Sequence, residues 1–246
     1  MHVLNRLAYG PGPGDVDVVT SMGAKRYIEE QPNPARIPFP EPLAQRLGGL
    51  RTLNMTATEL YMDYGPPSFP PQDASESDKR AARQRAAREI MPDAHQQRLW
   101  LATESPRQLE QVMTEFWFNH FNVFEGKDWV RYWTADYENR AIRPYAMGNF
   151  RALLGAVAHH PAMLYYLDNW LSSGDRAPGS KGRFKGLNEN YARELLELAH
   201  ARRERRLHPG RRDRAGAGLH RLDHQRGRDE ARRSALRLRR RAPRLR

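Results

Sequence analysis

The run Glu189 to Leu198, ENYARELLEL, places Asn190, Glu194 and Glu197 at i, i+4 and i+7, a polar stripe along a helix with Leu195, Leu196 and Leu198 on its flank. Two carboxylates about one turn apart suit a divalent metal of hard or borderline character, or a relay of protons. His120 and Asn119, in FWFNHF, can complete such a site from a second helix. Glu194, Glu197 and His120 are therefore the candidate catalytic residues and equally the candidate metal ligands. Asn119, Asn188, Glu189, Asn190 and Arg193 are the supporting polar groups, and a divalent metal is the cofactor these side chains suggest. A structural reading of the same residues stands beside this one. Arg193 and Glu197 can pair at i,i+4, Asn188 and Asn190 can cap a helix, and His120 can be a hydrogen-bonded interior residue between Trp117 and Phe121.

Other polar groups carry less. Glu138 and Arg143, near Tyr137, stand five residues apart and need not meet on an α-helix. His159 and His160 precede Pro161 at a helix boundary, which favours a cap over a ligand. The glycines and prolines from Gly10 to Gly14 lack the Lys-Ser/Thr and the preceding strand of a phosphate-binding loop.

The elements that must position these groups read as helices. A short helix opens the chain, a Gly/Pro turn follows, and Asp15 can cap a second helix with Val16, Val19 and Met22 on its apolar face before Gly23 breaks it. Pro32 to Pro42 and Tyr64 to Ser77 are loop-like in composition. Asp78 to Ile90, rich in Arg and Ala, predicts an exposed helix. Ser105 and Pro106 predict the start of a helix with Leu109, Val112, Met113, Phe116 and His120 on its buried side. A further helix is expected from Tyr137 to His160, kinked or split by Pro144, and a short one from Pro161 carrying Met163, Leu164, Leu167 and Trp170. After a glycine- and charge-rich loop from Ser172 to Lys185, Asn188 or Asn190 caps ENYARELLEL. With no strand alternation and no repeat, the fold class is mainly α, an irregular multi-helix domain incomplete at its C-terminal side.

Composition divides the chain after Leu198. Residues 199–246 hold 18 of the 41 Lys+Arg but 5 of the 29 Asp+Glu, and none of the 23 aromatic residues. The formal charge of +12 thus belongs to this Arg-rich tail, and residues 1–198 are almost neutral. Such a tail is expected to be disordered, because Arg with scattered Leu buries too little apolar surface to offset chain entropy. It can bind polyanions nonspecifically through counterion release, and no specific nucleic-acid recognition is expected of it. The absence of Cys excludes disulfides and thiolate chemistry, and no apolar run is long enough for a transmembrane segment. Met1 to Arg6 precedes no apolar h-region, so no signal peptide is read in this chain.

Four strings, LNRLAYGP near the start, FWFNHFNVF, YENRAIRPYAMGNFRALLGAVAHHPAMLYYLDN and GLNENYARELLEL, together resemble the bacterial family called domain of unknown function 1800. The likeness spans nearly all of residues 1–198, with Pro32 in EEQPNP a departure where the family usually has Leu. The resemblance implies no established reaction. It implies export for many members, which for this chain would require a start upstream of Met1. In the family the last helix continues as ELHTLG, followed by GYT, a DV pair and TGW, none of which stands here.

Codon constraints connect that continuation to the tail. Read one base later, Ala199 onward is compatible with HTLGVNGGYTQADVTELARVFTGWTI, and His208, Asp213, His220 and Asp223 each force Thr or Ile where the family has Thr. Leu236 to Arg244 is likewise compatible with FVFDAAPHD. The expectation is one extra nucleotide after Leu198, so that residues 1–198 form the N-terminal part of the family domain and residues 199–246 are an out-of-frame translation. In the restored frame a His follows Leu198 directly, beside Glu194 and Glu197. Two functional classes follow: a noncatalytic, envelope-associated helical protein, or a metal-dependent or acid/base enzyme built on the Glu/His/Asn cluster. Nucleic-acid binding through the tail is a third and weaker reading.

Overall fold

A helix of 29 residues, Glu76–Glu104, is the spine of the N-terminal part of the molecule, about 44 Å long at 1.5 Å per residue. The computed structural model describes residues 1–65, 73–127, 129–172 and 188–200, of which 198–200 as backbone alone. Among these residues every regular element is helical, as the sequence predicts. In chain order the α-helices are α1 Leu4–Leu7, α2 Asp15–Met22, α3 Ala24–Glu30, α4 Glu41–Gly48, α5 Ala57–Tyr64, α6 Glu76–Glu104, α7 Gln108–His120, α8 Val130–Asp136, α9 Phe150–His159, α10 Pro161–Tyr166 and α11 Glu189–His200. The chain divides into two units, Met1–Tyr166 and Leu167–Arg246. Each is described by itself below.

In the first unit α6 runs past the point where the sequence reading ends it. Its buried residues Ala86, Ile90, Ala94, Gln97 and Leu101 recur every three or four positions, a single stripe against α4, α5, α7 and α8. Pro92 lies inside the helix and cannot donate to the Arg88 carbonyl, yet the stripe continues on both sides of it. Packing of that stripe offsets the lost bond, a tertiary term invisible to local propensity. Apart from Ala86 and Ile90, the segment from Asp78 to Ile90 is largely exposed, as its charge predicts.

Helix starts differ from expectation by a residue or two. Gly14, in the left-handed region at φ 82°, precedes α2, and Asp15 turns back to accept from the Gly12 N–H at 2.7 Å. Ser105 closes α6 rather than opening α7, whose first residue is Gln108. Thr56 opens α5 through a reciprocal capping box with Glu59. Around the first turn of the chain, Leu4, Ala8, Val19 and Tyr27 form one apolar cluster.

The expected helix from Tyr137 to His160 is three pieces. α8 passes into a π-turn over Tyr137–Ile142, then a 3-10 turn over Arg143–Tyr145, and α9 restarts at Phe150 with Asn149 capping two backbone N–H groups. Pro144 has no N–H for the Arg140 carbonyl, which ends the i→i+4 ladder there. The Arg143 N–H instead reaches the Glu138 carbonyl, an i→i+5 bond. Below this turn Tyr137, fully buried, donates its hydroxyl to the Phe121 carbonyl at 2.7 Å.

The glycine-rich loop falls mostly on 173–187, and the Arg-rich tail on 199–246, both outside the described side chains. Part of the loop from Tyr64 to Ser77, residues 66–72, is outside them too. Tyr137→Phe should destabilise the protein by roughly 1–2 kcal/mol in urea unfolding, because the Phe121 carbonyl loses a donor in a buried site. An unchanged midpoint would show that this bond contributes nothing.

Candidate functional site

Buried charge collects where the π-turn of the first unit meets α6, α7 and the start of α10. Asp136 and Glu138 are 6% and 5% exposed, so each carboxylate must find its partners within the fold. Glu138 Oε2 accepts from Arg98 Nε of α6 at 2.5 Å, and Oε1 accepts from Arg143 at 2.7 Å. The Arg143 guanidinium also donates to the Gln111 side-chain carbonyl of α7. Asp136 takes Arg140 on one oxygen and the His160 imidazole, at 3.0 Å, on the other.

The local fold explains these meetings. Five residues of α-helix rotate by about 500°, which leaves positions i and i+5 roughly 140° apart. The wider π-turn brings i+5 back toward i, and so Glu138 and Arg143, which need not meet on an α-helix, form an ion pair. His160 is the residue before Pro161, and its Nδ1 accepts from the Ala162 N–H at 3.2 Å. Nε2 must therefore carry the proton that it gives to Asp136, so both ring nitrogens are in use. The cap expected at this helix boundary is thus His160, while His159 bonds the Gly155 carbonyl.

Two clefts lie on either side of Gln111 and Arg143. One, of about 350 Å³, is bordered by Phe39, Gln97, Arg107 and Asn139, and Gln97 and Asn139 exchange amide hydrogen bonds across its wall. The other, of about 330 Å³, is bordered by Tyr9, Arg98, Thr114, Glu115 and Glu138. Tyr9 donates its hydroxyl to Glu115 at 2.5 Å. Partial burial, followed by the hydrogen bond and charge of Glu115, raises the Tyr9 phenol well above its ordinary range. Burial also raises Tyr64, which donates to Glu89 at 2.8 Å, and Tyr27.

The residues singled out by sequence lie elsewhere. Asn119 is exposed and His120 half-buried at the end of α7, where the imidazole packs on the rings of Phe116, Trp117 and Phe121. The deep side of α7 carries Gln111, Thr114 and Phe118, while Phe116, expected inside, is 53% exposed. In the second unit Asn188 caps α11, its side-chain carbonyl accepting from the N–H groups of Asn190 and Tyr191 at 2.9 and 3.2 Å. Its own amide donates to the Leu167 carbonyl at 2.9 Å. Along α11, Glu189, Asn190 and Glu197 are exposed and Arg193 and Glu194 half-buried, with Tyr191 and Ala192 buried. α11 thus sets Asn190, Glu194 and Glu197 on successive turns, whereas His120 and Asn119 belong to the first unit. Among the described residues no three His, Asp or Glu side chains are grouped to hold a metal ion.

Asp136, Arg140, Gln111 and Arg98 escaped the sequence reading. The available signal was three charges, at 136, 138 and 140, in a run otherwise fit for burial between Trp133 and Ile142, with a fourth at 143 directly after it.

Two outcomes follow. Glu138→Gln should cost roughly 2–4 kcal/mol in chemical denaturation, somewhat below a wholly buried pair because Arg98 reaches solvent, and a cost near zero would contradict the pairing. The raised phenols make the native state hold protons that the unfolded chain releases, so their stabilisation is whole below the ordinary phenol value of 10.0 and falls as pH climbs past it. Melts from pH 8 upward should show that fall setting in near pH 10 and continuing above it, and Tyr64→Phe should lessen it.

The family model described as "Protein of unknown function (DUF1800)" matches residues 2–200. No curated protein and no solved structure matches the chain.

Proposed function

We propose that this chain, which belongs to the domain of unknown function 1800 family, is a noncatalytic helical protein of the bacterial envelope whose buried charges hold its fold. The observation that carries this reading is that the buried charges are paired within the fold. All four carboxylate oxygens of Asp136 and Glu138, and both nitrogens of His160, are bonded to protein groups. A general base needs a free lone pair within reach of substrate, and a metal ligand needs one aimed at the ion. Asp136 and Glu138, paired through both oxygens and only 6% and 5% exposed, present little of either to a substrate or an ion. The envelope assignment rests on the export implied by the resemblance. No helix among the described residues is long and apolar enough to cross a membrane, which leaves a lipid-spanning role to other means.

The tail enters the proposal as a translation artefact. Residues 199–246 are read as out of frame, and the family match ending at residue 200 supports placing the break near Leu198. Nonspecific polyanion binding by this segment, steeply weakened by salt, would then be a property of the error and not of the family.

A second reading keeps Glu194, Glu197 and His120 as a metal or acid/base site. α11 favours it by setting both carboxylates one turn apart, with Glu194 half-buried. Sequencing the gene across the codons for Glu197 to Arg203 separates artefact from arm: a single surplus base restores ELHTLG, and an intact frame makes the tail a real segment. Elemental analysis of both the present chain and a frame-restored protein then decides between the readings. The noncatalytic reading expects well under one equivalent of bound divalent metal in each. About one equivalent in the restored protein, lost on Glu194→Ala together with any hydrolytic activity, would establish the second reading instead.

A further inference from the structure

The cleft of about 330 Å³ beside the Glu138 network has features that the network's structural role leaves unused. Thr114 borders it at 2% exposure, and its hydroxyl oxygen has no hydrogen-bond partner. An unpaired buried hydroxyl is a standing cost that a bound polar group can remove. Arg143, on the same cleft, likewise has an unpartnered Nε. Arg98 gives its Nε to Glu138, and 43% of its side chain remains exposed. Glu115 gives one oxygen to Tyr9 and is exposed at the opposite chemical extreme, a carboxylate facing solvent.

These groups sort the ligands that fit. The lining carries two cations, Arg98 and Arg143, and two anions, Glu115 and Glu138, so its formal charge is zero. A simple anion drawn to Arg98 would meet the field of Glu115 and Glu138, and a simple cation drawn to Glu115 would meet the two arginines. A small molecule with both charges matches both ends: its carboxylate pairs with the arginine side and its ammonium with Glu115. Beside Tyr9 and Gln111, the rest of the wall is apolar, with Leu99 at 61% exposure, Leu101 and Ala102. An aliphatic substituent would lie there. The volume is at the low end of the range of small-molecule sites.

We infer that the cleft between Tyr9, α6, α7 and the π-turn binds an aliphatic α-amino acid, with Arg98 on its carboxylate, Glu115 on its ammonium, Thr114 within hydrogen-bond reach and Leu99 against its side chain. This binding requires no chemistry, and it stands whether or not the envelope assignment does. The residues involved all lie in the first unit, so it is independent of α11 and of the tail.

Titration calorimetry on the full chain at physiological ionic strength tests it with three probes: L-leucine, 4-methylpentanoate, which lacks the ammonium, and 3-methylbutylamine, which lacks the carboxylate. L-leucine should bind with a Kd of about 1 mM or tighter, and each single-charge analogue at least about tenfold more weakly. Glu115→Gln, whose amide oxygen can still accept from Tyr9, should weaken L-leucine by about tenfold while the protein still unfolds cooperatively. Thr114→Val should weaken it as well while raising the melting temperature of the free protein, since an unpaired hydroxyl is removed. No saturable binding of L-leucine, equal binding of either analogue, or affinity untouched by both substitutions would each overturn the assignment.

Discussion

The i→i+5 bond between Arg143 and Glu138 is the constraint around which the first unit is arranged. It turns the Glu138 side chain toward Arg143 and Arg98, and it leaves Asp136, two residues earlier, pointing at His160. Through those pairs the π-turn is tied to α6, to α7 by way of Gln111, and to the start of α10 through the His160 cap. A charge taken from water is costly until it is paired. The pairs Arg98–Glu138, Arg143–Gln111 and His160–Asp136 each join separate elements, which therefore have to arrive together, whereas Asp136–Arg140 and Glu138–Arg143 are local. Tyr137, in the same turn, adds a buried bond to Phe121 at the end of α7. The turn is thus the hub of a polar layer inside an otherwise apolar packing of helices.

Much of the helix content was legible because apolar residues recur at helical spacing in α2, α7 and α9, and because Asn188 and Pro161 are strong start signals. What escaped was tertiary. α6 runs through Pro92 because its stripe of Ala86, Ile90, Ala94, Gln97 and Leu101 is held on both sides of the proline, which local propensity cannot register. α7 buries Gln111 and Thr114 in preference to Phe116 because the polar layer, not an apolar one, lies beneath it. Sequence spacing put Glu138 and Arg143 apart by assuming α-geometry throughout, and one π-turn reversed that.

The near-neutral balance of residues 1–198 takes on a structural sense in this light. Acids and bases in the first unit are matched at close range, including the exposed pair Arg46 and Glu104 as well as the buried ones. The surplus of Arg lies wholly beyond Leu198, where it has no comparable acids to meet. The carboxylates of α11 remain chemically suggestive, yet enclosure distinguishes them from the hub: Glu194 and Glu197 stand on a partly exposed stripe, whereas Glu138 is buried between two guanidinium groups.

The central claim is that Glu138 and Arg143 act on one another, and that the π-turn exists in solution to let them. A double-mutant cycle with Glu138→Gln, Arg143→Gln and the double variant, measured by urea unfolding, tests it most directly. The account predicts a coupling energy of about 1–3 kcal/mol between the two positions. Additive effects, with coupling below roughly 0.5 kcal/mol, would contradict it, because residues five apart on an unbroken α-helix would behave that way.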